Sequence, residues 1–246
     1  MDIAAVRSRL PGLDIHYHRV LDSTMHEAAR LAALGAPSGT AVIADQQTAG
    51  IGRYQRPWHS EAASGLYVSI VLRMPIEPVI TLALGLATVD AIQKTTGIAC
   101  DLRWPNDVLI GDRKLAGILT HLDGPAVIAG IGINVNHREF PPELSAQATS
   151  LRIASGRQQS REELLVELLP AIDTFCSTLV SEGRPAILEM FSHASSYVRG
   201  RRVRVDQEDG VITGTTAGLT ADGFLLVRGD DQREHIILAG GVRPCS

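Results

Sequence analysis

Four polar side chains crowd one short stretch of this chain, at Arg103, Asn106, Asp107 and Lys114. The apolar residues around Gly111-Asp112 predict a β-hairpin here, with one strand, a tight turn and a returning strand. Core strands rarely carry two cations, a carboxylate and an amide so close together, because unpaired buried charge is unfavourable. The cluster therefore predicts a site for a charged ligand, a phosphate together with its metal.

A second segment with chemical potential runs from Asp45 to Ser60 and has no helical or strand period. Its glycines would let backbone N–H groups approach a ligand, and Arg53 and Arg56 add fixed positive charge. Gly-x-Gly-Arg alone is a weak signal, and no Rossmann or P-loop signature is present. Because a long loop inside a compact domain is usually functional or mobile, we expect this one to order and close when a ligand binds.

Two further places could hold a ligand. Thr24 and Glu27 have the spacing of a capping box at a helix start, where hydroxyls either cap the helix or also bind a polar group. In a later apolar strand, Gly130 and Gly132 either relax a core strand or leave room for a flat ligand on one face.

The elements that must position these residues predict an α/β domain over residues 1–196 and a small β-barrel over 197–246. Residues 1–12 are expected to form a short helix or tail, and residues 141–156 a loop. Strands are predicted near 16–18, 41–44, 65–73, 103–110, 114–119 and 126–136, and helices over 24–34, 78–97, 160–181 and 185–194. The barrel strands are predicted at 201–205, 211–219, 223–227 and 235–238, with one turn at Asp209-Gly210.

Composition limits the class of protein. The chain has 246 residues, of which 45% are hydrophobic, and a formal net charge of −4, so no basic field favours nucleic acid. Its three cysteines are scattered without metal or disulfide spacing, which fits a reducing compartment. No signal peptide is recognised at the start, and no apolar window is long enough to span a bilayer. We expect a cytoplasmic protein, without membrane or nucleic-acid binding.

Taken in order, five motifs resemble those of biotin protein ligases. They are Asp22-Ser23-Thr24, Gln47-x-Ala49-Gly50-x-Gly52-Arg53, Arg103-Trp104-Pro105-Asn106-Asp107, Lys114-Leu115-Ala116-Gly117-Ile118-Leu119 and Gly130-Ile131-Gly132-Ile133-Asn134. The resemblance implies a class II synthetase-like α/β fold, a mixed sheet with flanking helices, and a C-terminal SH3-like barrel. Two positions depart from the family pattern, because Arg103 stands where lysine is usual and Ile51 where arginine is usual.

The resemblance also implies a reaction, in which ATP activates biotin as biotinyl-5′-adenylate and a lysine of a biotin carboxyl carrier protein receives it. Lys114, Arg53 and Asp107 would be catalytic, and Asp107 would also hold Mg²⁺ directly or through water. The implied biotin contacts are Ser23, Thr24, Met25, Gln47, Ile51, Gly52, Arg53, Lys114, Gly117, Gly130 and Gly132. The implied ATP contacts are Arg53, Arg56, Trp58, Arg103, Asn106, Asp107, Lys114 and Asn134.

Two alternative functions remain open from the sequence, together with an expectation about domain content and oligomeric state. A lipoate or octanoate ligase or transferase shares the implied fold but would need a longer apolar tunnel. A non-enzymatic biotin-binding module would not need the phosphate-binding cations. We expect a monofunctional enzyme without the N-terminal DNA-binding domain of many relatives, present as a monomer or homodimer.

Overall fold

The structure of the protein, a computed structural model, describes residues 1–207 and 210–245. Asp209, part of one predicted turn, lies outside the described residues. The helices are α1 (Ile3–Arg9), α2 (Thr24–Ala33), α3 (Ile80–Thr96), α4 (Pro142–Ser145), α5 (Leu151–Ser155), α6 (Arg161–Glu182) and α7 (Arg184–Ala194). The strands are β1 (Ile15–Leu21), β2 (Ala41–Gln47), β3 (Gly65–Leu72), β4 (Asp101–Arg103), β5 (Asp107–Ile110), β6 (Arg113–Asp123), β7 (Ala126–Asn134), β8 (Arg199–Gln207), β9 (Gly210–Leu219), β10 (Leu225–Gly229), β11 (Glu234–Ile237) and β12 (Gly241–Pro244).

A seven-stranded sheet in the order β1-β2-β3-β7-β6-β5-β4 forms the centre of the larger domain. Only β1 and β2 run parallel among these neighbours, so the sheet is mixed, as the sequence predicts. Helices α3 and α6 pack together over one face. Helix α2 packs on β2, β3 and β7 from the other face.

Alternation along the strands determines which residues can reach a ligand. On β7, Ala129 and Ile131 belong to the main apolar core, whereas Ile128 belongs to the smaller cluster under α2. Because side chains alternate along a strand, Gly130 and Gly132 face the same side as Ile128. Helix α2 packs there on Ala126 and Ile128, at the start of β7, and the glycines follow further along the strand.

The predicted single strand over 103–110 is wrong in one respect. The backbone turns at residues 104–106, so that β4 and β5 form a hairpin of their own, with Arg103 opposite Asp107. Pro105 lacks a backbone N–H and is poorly suited to the interior of a paired strand. The predicted loop over 141–156 also differs, because it contains the short helices α4 and α5.

The small C-terminal β domain is confirmed as a five-stranded antiparallel sheet in the order β11-β10-β9-β8-β12. Strand β12 was not predicted from the sequence, since four residues around a glycine give little periodic signal. Val203 and Val242 of this sheet belong to the same buried cluster as the larger domain. The indole N–H of Trp104 also donates to the carbonyl of Gly223 at 2.8 Å. The boundary between residues 196 and 197 stays a prediction.

Among the described residues, one helix, α6, is long and apolar enough to cross a membrane by length and composition. Its most apolar window has a mean hydropathy of 1.5, and half of that window is buried inside the fold. A core helix that packs against α3 meets the same criteria, so the helix is weak grounds for a membrane span.

Candidate active site

One cavity of about 720 Å³ opens on the sheet face that carries Gly130 and Gly132. The segment between β2 and β3 forms one wall, and the C-terminal sheet contributes another. Arg53 and Lys114, predicted from separate motifs, both line this cavity. The predicted site residues that line it are Thr24, Met25, Gln47, Ile51, Gly52, Arg53, Arg56, Trp58, Arg103, Asn106, Asp107, Lys114, Gly117, Gly130 and Gly132.

Asp107 is the centre of the charged part of the site. One of its carboxylate oxygens accepts from Arg103 Nη2 at 2.7 Å, and the other accepts from Lys114 Nζ at 2.5 Å. Burial alone would raise the pKa of Asp107, but the charges of Lys114 and Arg103 outweigh it and the net shift is downward. The carboxylate is therefore ionised at neutral pH and holds both cations beside the cavity.

Two local irregularities aim Lys114 into the site. The pairing of β5 with β6 shifts register beside it, between Val108 and Leu109. Such a bulge turns a side chain away from the regular alternation. The backbone of Lys114 also bonds to the segment after α4, because its N–H donates to Gln147 at 2.7 Å and its carbonyl accepts from Thr149 at 2.9 Å.

The resemblance implies that Asp107 holds Mg²⁺ directly or through water, and the donor set around Asp107 argues against the direct contact. Each carboxylate oxygen already accepts from a cation, and a divalent ion bound there would lie against both positive groups. Mg²⁺ is usually bound by one or two carboxylates together with phosphate oxygens and water, so a carboxylate already paired with two cations is a poor direct ligand. The geometry instead gives Asp107 the task of positioning Arg103 and Lys114.

Asn106 lies where the β4–β5 turn approaches the loop wall. The side-chain N–H of Asn106 donates to the carbonyl of Ile118 at 3.0 Å, and the backbone carbonyl of Asn106 accepts from the N–H of Ile118 at 2.9 Å. Its side-chain oxygen accepts from Arg53 Nη1 at 3.0 Å. The turn is thus fixed on β6 and in turn holds the arginine of the glycine-rich segment.

A polar network occupies the other end of the cavity. Ser69 Oγ donates to Thr24 Oγ1 at 2.8 Å, and Gln47 Oε1 accepts from the Thr24 hydroxyl at 3.1 Å and its N–H at 2.9 Å. Gln47 Nε2 donates to Ser60 Oγ at 3.0 Å. Sequence reasoning missed Ser69, although a serine on the glycine-bearing face of a fully buried strand is a usable signal.

Two predicted residues do not line the cavity. Ser23 is fully buried and caps α2, because its Oγ accepts from the N–H of Met25 at 3.3 Å. The capping-box pattern assigns that role to Thr24, whose hydroxyl instead bonds to Gln47 and Ser69 beside the cavity. Asn134 is also buried, and its side-chain N–H approaches the carbonyl of Lys114 at 3.5 Å. It supports the backbone behind Lys114 rather than forming the cavity wall.

The glycine floor is closely packed by two side chains. A Cβ built on Gly132 would lie 2.6 Å from Trp58 Cε2, and one on Gly117 would lie 3.0 Å from Trp58 Cζ3. A Cβ on Gly130 would lie 2.5 Å from the sulfur of Met25. A side chain at Gly132 would clash with the Trp58 indole ring, whereas at Gly117 and Gly130 the neighbouring side chains would have to shift to make room.

The Trp58 ring therefore lies against the sheet at Gly117 and Gly132, beside Lys114. Lys114 Nζ lies 5.3 Å from the centre of the indole ring, within range of a cation–π contact. The indole N–H is buried and has no hydrogen-bond partner among the described residues. Such a donor is unfavourable unless a ligand or water satisfies it, which makes Trp58 a candidate contact for a bound molecule.

The glycine-rich segment, predicted to lack period, folds back on itself. Ile51 pairs with Pro57 in an antiparallel bridge, and the N–H of Trp58 donates to the carbonyl of Gly50 at 2.8 Å. The tip of this turn places Tyr54 at φ 57° and Gln55 at φ 58°, a left-handed conformation that is uncommon for such residues. Strained backbone of this kind concentrates at ligand-binding loops.

The C-terminal sheet brings in cavity residues that no sequence motif revealed. Arg53 Nη1 lies 3.5 Å from the carbonyl of Gly240, so the two walls meet at this arginine. No local pattern could have identified these residues, because they reach the site only through the packing of two sheets. The additional lining residues from this sheet are Asp206, Gln207, Ile236, Leu238, Ala239, Gly240, Gly241, Val242 and Arg243.

Comparison with known proteins agrees with this arrangement. Residues 17–137 match the Biotin/lipoate A/B protein ligase family, and residues 199–241 match the Biotin protein ligase C terminal domain. The chain is 35% identical over 245 residues to the bifunctional ligase/repressor BirA of Bacillus subtilis, covering 95% of this chain and 75% of that protein. It is 33% identical over 199 residues to the biotin–[acetyl-CoA-carboxylase] ligase of Mycobacterium tuberculosis, covering 76% and 73% of the two chains.

Among solved structures, the biotin protein ligase of Aquifex aeolicus in complex with biotin and ATP superimposes with a TM-score of 0.85. That match has 32% sequence identity and covers 94% of this chain and 99% of that chain. The mixed sheet, the small antiparallel sheet and these matches place the chain in the class of biotin and lipoate ligases. The chain belongs to the Biotin/lipoate A/B protein ligase family, within its biotin protein ligase branch.

Proposed function

We propose that this protein attaches biotin to a lysine of a biotin carboxyl carrier domain, in two steps. In the first, a biotin carboxylate oxygen attacks the α-phosphorus of ATP, forming biotinyl-5′-adenylate and releasing pyrophosphate. In the second, the lysine amine attacks the acyl carbon, forming the amide and releasing AMP. Family membership supports the ATP-dependent biotin ligase activity, and the single observation that supports the residue roles is the shared cavity of Arg53 and Lys114.

Lys114 and Arg53 would neutralise the charge that develops in both steps. The first step builds charge on phosphorus oxygens and the second on the acyl oxygen. Preorganised cations and N–H donors that meet such charge are usually the largest catalytic contribution. Asp107 preorganises Lys114 through their 2.5 Å ion pair, so the cation does not have to be recruited during the reaction.

Arg56 and Arg103 would bind the outer phosphates of ATP. Arg103 keeps the charge of the lysine that is usual here and adds a planar fork suited to phosphate. One arm of that fork is taken by Asp107, at 2.7 Å, which leaves other N–H groups for a ligand. Magnesium would arrive with the ATP phosphates, and Asp107, whose two oxygens already accept from cations, would hold it through water rather than directly.

The polar network of Thr24, Gln47 and Ser69 would bind the ureido head group of biotin. It offers hydroxyl and amide groups that can both donate and accept, as a cyclic urea requires. The head group would lie near the glycine floor of Gly130 and Gly132, with Trp58 beside it. Ser69 joins the predicted biotin contacts in this proposal, and Ser23 contributes by holding the start of α2.

A lipoate or octanoate substrate is less suited to this end of the cavity. A saturated acyl chain makes no hydrogen bonds, so the buried hydroxyls of Thr24 and Ser69 would have only each other and Gln47 as partners. The experiment is pyrophosphate exchange into ATP, measured with biotin, lipoate and octanoate separately. Exchange that depends on biotin alone supports the proposal, whereas faster exchange with either fatty acid would assign the protein to the other branch.

The acceptor protein, the cellular compartment and the oligomeric state are also part of the proposal. The relatives named biotin–[acetyl-CoA-carboxylase] ligase make the biotin carboxyl carrier domain of that enzyme the proposed acceptor. The protein would act in the cytoplasm as a monomer or homodimer, without binding nucleic acid. The repressor activity in the Bacillus name belongs to that relative and is not carried over.

A further inference from the structure

Outside the reaction site, three metal-binding side chains converge at the base of the glycine-rich segment. His59 and Glu61 lie just before β3, and His137 lies just after β7. One potential ligand atom from each residue lies within 4.8 Å of the other two. This is the one such group of three histidine, cysteine or acidic side chains within residues 1–207 and 210–245.

The hydrogen bonds around His137 determine which nitrogen carries a free lone pair. The Tyr67 hydroxyl has a single proton, which it donates to the carbonyl of Glu61 at 3.0 Å. Its oxygen also lies 3.5 Å from His137 Nε2, so in that contact the imidazole N–H donates. Nδ1 is then the unprotonated nitrogen, and it is fully buried without a partner among the described residues.

This arrangement has the features of a prepared metal ligand. A ligating histidine usually donates its other ring N–H to a neighbour, which fixes the tautomer and the ring orientation. Tyr67 is the neighbour that accepts this N–H from His137. The His137 ring also stacks on Phe140, with ring centroids 5.1 Å apart. A buried, unpartnered nitrogen is otherwise unfavourable, so a bound cation explains why the structure tolerates it.

We propose that His59, Glu61 and His137 bind a divalent transition metal of the Zn²⁺ class, separate from the ATP and biotin site. Two imidazoles and one carboxylate are a donor set that suits Zn²⁺, with water as the fourth ligand. Bonds of about 2.1 Å place tetrahedral ligands about 3.4 Å apart, so the three ligand atoms, which lie within 4.8 Å of one another, need to draw together by at most about 1.4 Å. Exposed Glu61 and half-buried His59 can supply that movement, while His137 stays fixed.

The metal would tie the glycine-rich segment to the sheet. His59 directly follows Trp58, which covers the glycine floor, and His137 follows the strand that carries that floor. Binding at this point would therefore hold the base of the loop against the end of β7 and restrict the movement of Arg53. The metal takes no part in the chemistry in this proposal.

The test uses the full chain without an affinity tag, freed of metal by chelation. ZnCl2 is added in a calorimetric titration, and CoCl2 in a parallel titration followed by visible absorption. We expect one bound ion per chain, and binding weakened by about 100-fold in His59→Ala and Glu61→Gln. In Tyr67→Phe, which keeps all three ligands, we expect a weakening on the order of 10-fold. His193→Ala, at an exposed histidine on α7, is the matched control and should bind as the parent does.

A second measurement tests whether the bound metal restrains the glycine-rich segment. Trypsin cleavage after Arg53 should slow several-fold when the parent is saturated with ZnCl2, and should not change in Glu61→Gln. Absence of binding by the parent, or equal affinity in the His59 and Glu61 variants, overturns the metal site. Binding without any change in cleavage overturns the role assigned to it, and neither result bears on biotin-dependent exchange by the metal-free protein.

Discussion

The substitution Lys114→Met tests the charged half of the site most directly. Methionine keeps an unbranched stem of similar length, so the packing over Gly117 and Trp58 is retained while the charge is removed. Asp107 keeps its 2.7 Å bond to Arg103 and is not left as an isolated buried charge. The variant therefore separates the loss of one cation from a general loss of the site.

The substitution should affect the catalytic rate more than the folding stability. Losing one preorganised group that stabilises transition-state charge raises the activation free energy by about 3 kcal/mol, or about 100-fold in kcat. Folding stability loses mainly the cation–π contact and part of one ion pair, about 1 kcal/mol. In a chain of this size that corresponds to a fall in Tm of about 2–4 °C.

The measurements are biotin-dependent pyrophosphate exchange and thermal unfolding of the same preparations. Arg113→Met is the matched control, because Arg113 is the exposed neighbour of Lys114 on the same strand. We expect it to retain parental exchange. Exchange by Lys114→Met within about 3-fold of the parent, with the fold intact, would refute the catalytic role of Lys114.

Three further outcomes follow from the same geometry. Arg53→Gly removes the hydrogen bond that joins the loop to Asn106, so we expect the adenylate to escape from the site. Blots for biotin should then show labelling of bystander proteins. Unchanged selectivity for the carrier would show that Arg53 has no role in loop closure. Gly132→Val should displace the Trp58 indole and shift its fluorescence. It should also raise KM for biotin about 10-fold or more, since overpacking costs about 1–3 kcal/mol. Fluorescence equal to that of the parent would contradict the packing of Trp58 on Gly132. Because the pKa of Asp107 is lowered in the fold, the stability that its charge provides is complete above about pH 4 and is lost as the pH falls below it. The Tm difference between the parent and Asp107→Asn should therefore shrink in acid, and a constant difference from pH 7 to about pH 3 would count against the ion pairs.

Much of the site was predictable because its residues lie in short motifs with chemical meaning. The spacing from Arg103 to Lys114 marked a charged site, and the structure gathers these residues around Asp107. The predictions failed where one residue decides a local detail. Pro105 breaks the expected strand, and Ser23 rather than Thr24 caps α2, since either hydroxyl fits the same sequence pattern.

The sequence by itself determined the residue types of the site, because short ordered motifs are local properties, and the resemblance of those motifs implied the family and its mixed sheet. Only the tertiary structure decided which of those residues line one cavity. Ser69 on β3 joins Thr24 at the start of α2, Gly240 of the C-terminal domain reaches Arg53, and His137 meets Glu61 beside the β3–β7 pair. Such meetings depend on the packing of elements far apart in sequence, whose geometry no local pattern encodes.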